Sequence, residues 1–267
     1  LISDATNHAS IIDGSRLSRA SKHTYPHADM DGLEAVLRTC QDARTRIIVT
    51  DGVFSMDGDL APLPQIVALA ERYEALVYVD DAHGDGVLGH TGRGSTEHFG
   101  LEGRVALEIG TLSKAFGGLG GFVASDQEVI DSLYQRSRTF MFSTGHLPPV
   151  VAAGLIAVLD LLETQPERLQ RLWANADAFR TGLQQLGFNT GVSATPIVPV
   201  IAGEAAQAMA LARGLRSEGV YVQAFAYPVV AKGAARVRCI LSAAHSQDDV
   251  AEALEAFNTV GRQLRLV

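Results

Sequence analysis

Cysteine is scarce: Cys40 and Cys239 are the only two, far apart and each inside an apolar stretch. They read as reduced core thiols of a cytosolic protein, which excludes a disulfide-stapled scaffold. Basic charge is in the minority, 22 Lys and Arg against 30 Asp and Glu, for a formal net charge of −8. That balance argues against a nucleic-acid or anionic-membrane partner. Long hydrophobic runs are missing too. The longest, Val150 to Leu159, is too short to cross a bilayer and is closed by Asp160. With 47% hydrophobic and 19% charged residues, a disordered or collagen-like chain is excluded as well. The sequence begins Leu1-Ile2-Ser3-Asp4, with no initiator Met and no signal peptide. This reads as entry in the middle of a strand, and so as a protein truncated at its N-terminus.

What is present is enough for one large domain or two moderate ones, since 267 residues compare with about 150 per domain. Arg46 to Asp51 reads as a buried strand ending at a polar residue, Pro64 to Tyr73 as a helix, and Leu76 to Asp80 as a second strand. Further strands are expected at Val105 to Thr111 and at Gly121 to Ala124. Strand, helix, strand at this spacing predicts an α/β fold, a mostly parallel central sheet flanked by helices. Such sheets bind ligands at the carboxyl ends of their strands. The second half predicts helices at Pro149 to Glu163, Gln165 to Leu186 (closed by Gly187), Ala205 to Glu218 and Gln247 to Leu264, with strands at Ile197 to Ile201, Val220 to Val222 and Arg236 to Leu241. The expected organisation is a catalytic domain over residues 1–160 and a smaller C-terminal α+β domain over 161–267.

Two segments carry chemistry. In Gly110-Thr111-Leu112-Ser113-Lys114-Ala115-Phe116-Gly117-Gly118-Leu119-Gly120-Gly121 a single lysine follows a strand end and precedes a run of glycines. Glycines let a planar ligand approach the backbone, and Phe116 with the flanking apolar strands is expected to shelter the amine. A lysine so placed has a lowered proton affinity and can form an imine with an aldehyde. The order Gly-Lys-Ser/Thr of a phosphate-cradling loop is missing. In Val79-Asp80-Asp81-Ala82-His83-Gly84-Asp85 a carboxylate ends a buried strand, with a histidine just beyond it. A metal site of Asp80, Asp81, His83 and Asp85 is disfavoured, because adjacent side chains of an extended chain point to opposite faces. A buried carboxylate paired with a protonated ring nitrogen fits better, and that is what pyridoxal 5'-phosphate (PLP) requires as an electron sink.

With Asp80-Asp81-Ala82-His83 followed by Thr111-Leu112-Ser113-Lys114, the sequence resembles the α-oxoamine synthases, fold-type-I PLP-dependent transferases that join an amino acid to an acyl-CoA. Supporting segments are Asn7-His8-Ala9-Ser10-Ile11-Ile12-Asp13-Gly14, Thr50-Asp51-Gly52-Val53-Phe54-Ser55-Met56-Asp57-Gly58, and Arg136-Ser137-Arg138 leading to Phe142-Ser143-Thr144. The resemblance covers the whole chain. It implies that Lys114 holds PLP as an imine and moves protons at Cα, that Asp80 pairs with the pyridine nitrogen, and that His83 hydrogen-bonds the phenolic oxygen. It implies that His8 stacks on the pyridine ring and serves catalysis and substrate binding, and that Ser55 helps to hold the cofactor. Thr111 would contact the phosphate, with Ser143 and Thr144 reaching the phosphate of a partner subunit, hence a homodimer with shared active sites. Read without the resemblance, His8 serves equally well as a helix cap, Ser55 as a turn residue, and Ser143 and Thr144 as a cap before Pro148. His23 and His27 read as solvated loop residues.

Arg236 and Arg238 stand two apart on a strand and so share a face. The resemblance gives Arg238 the substrate α-carboxylate, for which a guanidinium fork is well suited, while Arg236 is expected to form an ordinary ion pair on a neighbouring helix. Within the family the resemblance is nearest to glycine C-acetyltransferase, on Leu172-Trp173-Ala174-Asn175-Ala176, Tyr227-Pro228-Val229-Val230 and Leu241-Ser242-Ala243-Ala244-His245. The pimeloyl-using 8-amino-7-oxononanoate synthases commonly have Arg-Pro-Pro where this chain has Ala226-Tyr227-Pro228. Loss of that cation favours a short neutral acyl chain. The expected substrates are therefore glycine and acetyl-CoA, in a cytoplasmic enzyme of threonine and glycine metabolism. The alternatives are the pimeloyl-CoA reaction of biotin synthesis and a non-catalytic subunit of the same fold. Ala231, where glycine C-acetyltransferases often have Pro, is a departure from the expected pattern.

Overall fold

The structure, a computed structural model, describes residues 1–138 and 147–267. The chain forms two compact units: Leu1–Phe54 with Leu60–Pro166, and Ser55–Asp59 with Glu167–Val267.

The first unit is built on a six-stranded sheet. Its strands are β1 (Ile2–Asp4), β2 (His23–Tyr25), β3 (Ile47–Asp51), β4 (Leu76–Asp80), β5 (Leu107–Thr111) and β6 (Gly121–Ser125), in the order β2-β1-β3-β4-β5-β6. The first five are parallel and β6 returns antiparallel against β5. Helices α1 (Ala9–Leu17), α2 (Met30–Thr39), α3 (Leu63–Arg72), α4 (Ser95–Phe99), α5 (Gln127–Arg136) and α6 (Pro149–Thr164) connect and flank these strands. Their ends are encoded locally. The Asp29 side chain accepts the Gly32 N–H at 3.0 Å to cap α2, and α3 starts with Pro in its first turn. β3 is almost wholly buried, as a central strand of a parallel sheet covered by helices requires, while in β4 Val77 and Val79 are buried and alternate with less buried neighbours. Ile48, Val77 and Val79 pack with Leu33, Leu37, Leu63 and Ile66 in a single cluster. His23 is a strand residue of β2 and not a loop residue. His27 corrects its expected solvation in another way: Thr6 Oγ1 lies 2.7 Å and Asp4 Oδ1 3.1 Å from its Nδ1, and its ring meets Phe54 edge-on. These contacts join segments that the pairing of β1 with β2 brings together.

The second unit holds a three-stranded antiparallel sheet in the order β7-β9-β8, from β7 (Ile197–Gly203), β8 (Gln223–Phe225) and β9 (Ala235–Ile240). It is covered by α7 (Glu167–Gln185), α8 (Ala205–Ser217) and α9 (Gln247–Gln263). A reciprocal cap starts α9: Ser246 Oγ accepts the Asp249 N–H at 3.1 Å, while Asp249 Oδ2 accepts the Ser246 N–H at 2.7 Å. The expected strand at Val220 to Val222 is not formed. Both valines pack on the core of this unit, and the ladder begins at Gln223, opposite Arg238. Phe257 is fully buried, with edge-to-face contacts to Phe179 at 5.7 Å and Phe188 at 5.6 Å. Phe257→Ala is expected to destabilise by about 3–5 kcal/mol through the cavity it leaves, seen as a lower urea midpoint with an unchanged slope. Cys40 and Cys239 are both buried and form no disulfide, and burial pushes the Cys239 thiol up to about 12.

Among the described residues no single helix is long and apolar enough to cross a membrane.

Candidate active site

In the first unit the sequence-expected residues gather at one end of the sheet, at the carboxyl ends of parallel strands, as such sheets require. His8 follows β1, Asp80 ends β4 with His83 in the turn beyond it, Thr111 ends β5, and Lys114 lies in the loop to β6. Asp51, which sequence reading registered only as the polar end of a strand, closes β3 beside them.

The lysine loop is closed by its own backbone. Leu112 N–H donates to Gly120 O at 2.9 Å, Gly118 N–H to Leu112 O at 2.6 Å, and Gly117 N–H to Lys114 O at 3.0 Å. Thr111 Oγ1 lies 3.0 Å from Ser113 Oγ, so two hydroxyls are presented side by side at the strand end. Gly118 is required by close approach. A Cβ there would lie 2.7 Å from Leu155 of α6, the one buried side chain of that helix. Lys114 itself is exposed in this chain, contrary to the expected shelter.

Asp80 Oδ1 accepts the Ala82 N–H at 3.1 Å. Its neighbour Asp81 points away, buried, and accepts the Ser95 N–H at 2.5 Å at the start of α4. Three glycines make room for that carboxylate: a Cβ on Gly52, Gly84 or Gly94 would meet an Asp81 oxygen. Burial, then Glu108 and Asp80, push Asp81 up to about 6 against the bonds from Ser95. Asp85 is pushed up to about 8 by burial and by Asp81, Glu108 and Asp80. A carboxyl raised on folding binds a proton that the unfolded chain releases, so its contribution is full below about pH 4 and falls as pH rises toward 8. Asp85→Asn is therefore expected to stabilise the protein by about 1–2 kcal/mol at pH 8 and little at pH 4, measured as the difference between melting curves at the two values.

His8 is the N-cap of α1, its Nδ1 accepting the Ser10 N–H at 3.3 Å and lying 2.8 Å from Ser10 Oγ. The capping reading is thus the contact the structure displays, and the exposed ring stands at the same strand-end edge. Asp51 Oδ2 accepts the His8 N–H at 2.7 Å. Burial first, then Asp80, push the Asp51 carboxyl up to about 7, with Lys114 pulling it down, which places Lys114 within electrostatic reach of this carboxyl.

Ser55 and Arg238 belong to the second unit. Arg238 Nη1 donates to Ser55 O at 2.8 Å, and its guanidinium lies over the Phe225 ring, 4.7 Å from the centroid. Burial lowers its proton affinity. Arg236 is buried and ion-paired, but with Asp57 of the Ser55–Asp59 turn and not on a helix; it also donates to Met56 O at 3.1 Å and Ala234 O at 3.0 Å. Asp57, about 180 residues upstream of its partner, gave no signal beyond the Met56-Asp57-Gly58 turn. Ser143 and Thr144 lie outside the described residues.

An amine in a glycine loop, paired strand-end carboxyls, adjacent hydroxyls and a histidine at a helix start form a donor set suited to a phosphorylated pyridine aldehyde. Residues 1–257 match the aminotransferase class I and II family, and the chain belongs to that PLP-dependent family. Within it the chain falls among the α-oxoamine synthases. It is 57% identical, over all of its length and 68% of the relative's, to an 8-amino-7-oxononanoate synthase of Exiguobacterium sibiricum. It is similar to a serine palmitoyltransferase solved with PLP as an internal aldimine (34% identity, TM-score 0.94, all of this chain and 67% of that one). It is also similar to an 8-amino-7-oxononanoate synthase from Francisella tularensis (27% identity, TM-score 0.82, all of this chain and 76% of that one).

These relatives overturn glycine C-acetyltransferase, with glycine and acetyl-CoA, as the expected activity. That expectation rests on the segments Leu172 to Ala176, Tyr227 to Val230 and Leu241 to His245, and on a missing cation at Ala226-Tyr227-Pro228. A cation does lie beside it: Lys232 Nζ, four residues beyond Pro228, is 5.2 Å from the centroid of the Tyr227 ring.

Proposed function

We propose that this protein condenses L-alanine with pimeloyl-CoA to form 8-amino-7-oxononanoate. The observation that carries the reading is the 57% identity, along the whole chain, to a relative of that name. A three-carbon amino acid and a seven-carbon acyl group give a nine-carbon product only if one carbon leaves, so the alanine carboxylate departs as CO2 and coenzyme A is the leaving thiol. The test is initial rate with L-alanine and pimeloyl-CoA against glycine and acetyl-CoA. A faster second pair would sink the proposal.

PLP, when bound, supplies an electron sink for the carbanion formed at the substrate Cα. The roles that follow belong to the chain. Lys114 would hold the cofactor at its aldehyde through Nζ and would move the proton at the substrate Cα. Asp80 would keep the pyridine nitrogen protonated, and His83 would hydrogen-bond the phenolic oxygen. His8 would stack on the cofactor ring. Thr111 and Ser55 anchor the cofactor, with Ser143 and Thr144 serving the partner subunit's phosphate in a homodimer. The exposed apolar side chains of α6, Val150 and Ile156 among them, support such an assembly.

Arg238 receives the substrate carboxylate. Ser55 O takes one N–H of its fork and the Phe225 face fixes its plane, leaving the remaining donors for two parallel bonds. Arg238→Lys keeps the charge but loses the fork. It is expected to raise the KM for alanine about tenfold or more, the equivalent of one charge-assisted bond, with the KM for pimeloyl-CoA little changed.

A further inference from the structure

One buried acid at the strand ends has no part in the reaction as proposed. Asp51 is 7% exposed, and its Cα is the register partner of Asp80 on the neighbouring parallel strand, so the two carboxyls leave the same face of the sheet. Its Oδ2 accepts the His8 N–H at 2.7 Å, and its own N–H donates to Asn7 Oδ1 at 2.9 Å. The Asn7 amide nitrogen donates in turn to Val49 O at 2.7 Å and Ser3 Oγ at 2.9 Å. The junction between β1 and α1 is therefore clamped onto β3 at two consecutive residues. His8 is the residue at which α1 begins, so where its ring stands follows from where its backbone is held.

We propose that Asp51 is a positioning residue of the cofactor site, seating His8 at the start of α1, and that it does so as a hydrogen-bond acceptor and not as a charge. The proposal rests on the ring-stacking role given to His8 above. The charged groups that bear on Asp51 are Asp80 from β4, Asp4 from β1 and Lys114 from the β5–β6 loop, with the His8 N–H from α1. Two carboxylates side by side in a desolvated place repel. A proton kept on Asp51 removes that repulsion and leaves Asp80 as the anion for the ring nitrogen. The carbonyl oxygen of a neutral carboxyl still accepts the His8 N–H, which an asparagine would reproduce and an alanine would not.

The test uses the holoenzyme, stripped of PLP and retitrated, reading PLP affinity from the visible absorbance and the asymmetry of the bound chromophore from visible circular dichroism. Asp51→Ala is expected to weaken PLP binding about tenfold, the equivalent of one lost hydrogen bond, and to change the visible dichroism while the far-ultraviolet spectrum stays the same. Asp51→Asn is expected to retain both wild-type values. His8→Ala should match Asp51→Ala, and the double variant should be no worse than either, since both act through one ring. Wild-type behaviour of Asp51→Ala, or an Asp51→Asn variant as impaired as Asp51→Ala, overturns the proposal alone. Wild-type behaviour of His8→Ala overturns the role given to His8, and with it the proposal. If Asp51→Ala proves too unstable to strip and retitrate, Asp51→Ser, whose shorter side chain cannot reach the His8 N–H, takes its place with the same expected loss.

Discussion

Replacing Lys114 by alanine is expected to leave a folded protein that binds PLP without the visible band of an imine and turns over at least about four orders of magnitude more slowly. The size of the effect follows from the two tasks given to a single amine, attachment of the cofactor and proton movement at Cα, neither of which another described side chain of the glycine loop can perform. Folding should survive because the loop is closed by backbone bonds from Leu112, Gly117 and Gly118 and Lys114 is exposed. Far-ultraviolet dichroism and melting temperature check the fold, and an absorbance scan after addition of PLP checks the attachment. Added methylamine should restore part of the rate if proton movement is what was lost. Survival of the visible band in the variant would sink the assignment of the lysine.

Asp80→Asn is expected to lower kcat by about a hundred- to a thousandfold, the range seen when one preorganised electrostatic group is removed from a developing charge. The backbone contact of this position should persist, since an asparagine oxygen can still accept the Ala82 N–H that Asp80 Oδ1 accepts at 3.1 Å. What is lost is the anion that keeps the pyridine nitrogen protonated. The measurement that separates this from simple loss of cofactor is PLP saturation: kcat should remain low at saturating PLP, and a full rate under those conditions would remove Asp80 from the chemistry.

The central sheet was legible because its middle strands carry short β-branched and apolar runs, of which β3 is almost wholly buried. Ile47–Asp51 and Leu76–Asp80 are mostly apolar runs with an acid at the end, and no helical periodicity competes with them. β8 was displaced in the sequence reading because Val220 and Val222 carry the β-branched signal, yet both go to the core, and the pairing Gln223 to Arg238 sets the ladder. The lysine and the Asp-Asp-Ala-His segment were legible as chemistry because strand-end residues are local. His27 with Asp4, and Arg236 with Asp57, were not, since each pair meets only after the chain has folded. Substrate choice was misjudged on three short segments and the tripeptide Ala226-Tyr227-Pro228, beside which a cation four residues beyond Pro228 lies over the tyrosine.

The Ser55–Asp59 turn has a practical consequence for anyone dissecting the protein. It is counted with the second unit and supplies the acid opposite Arg236 and the carbonyl beneath Arg238; Gly58 O also accepts from Thr195 Oγ1 at 2.9 Å and from the Ala194 N–H at 3.0 Å. A gene fragment covering residues 167–267 would thus encode a module with a hole in it. A buried guanidinium would be stranded without its counter-ion, a condition that costs several kcal/mol. The borders of the second unit are spatial and not sequential, and a stable excised version calls for the turn to be grafted back by a linker or supplied as a peptide.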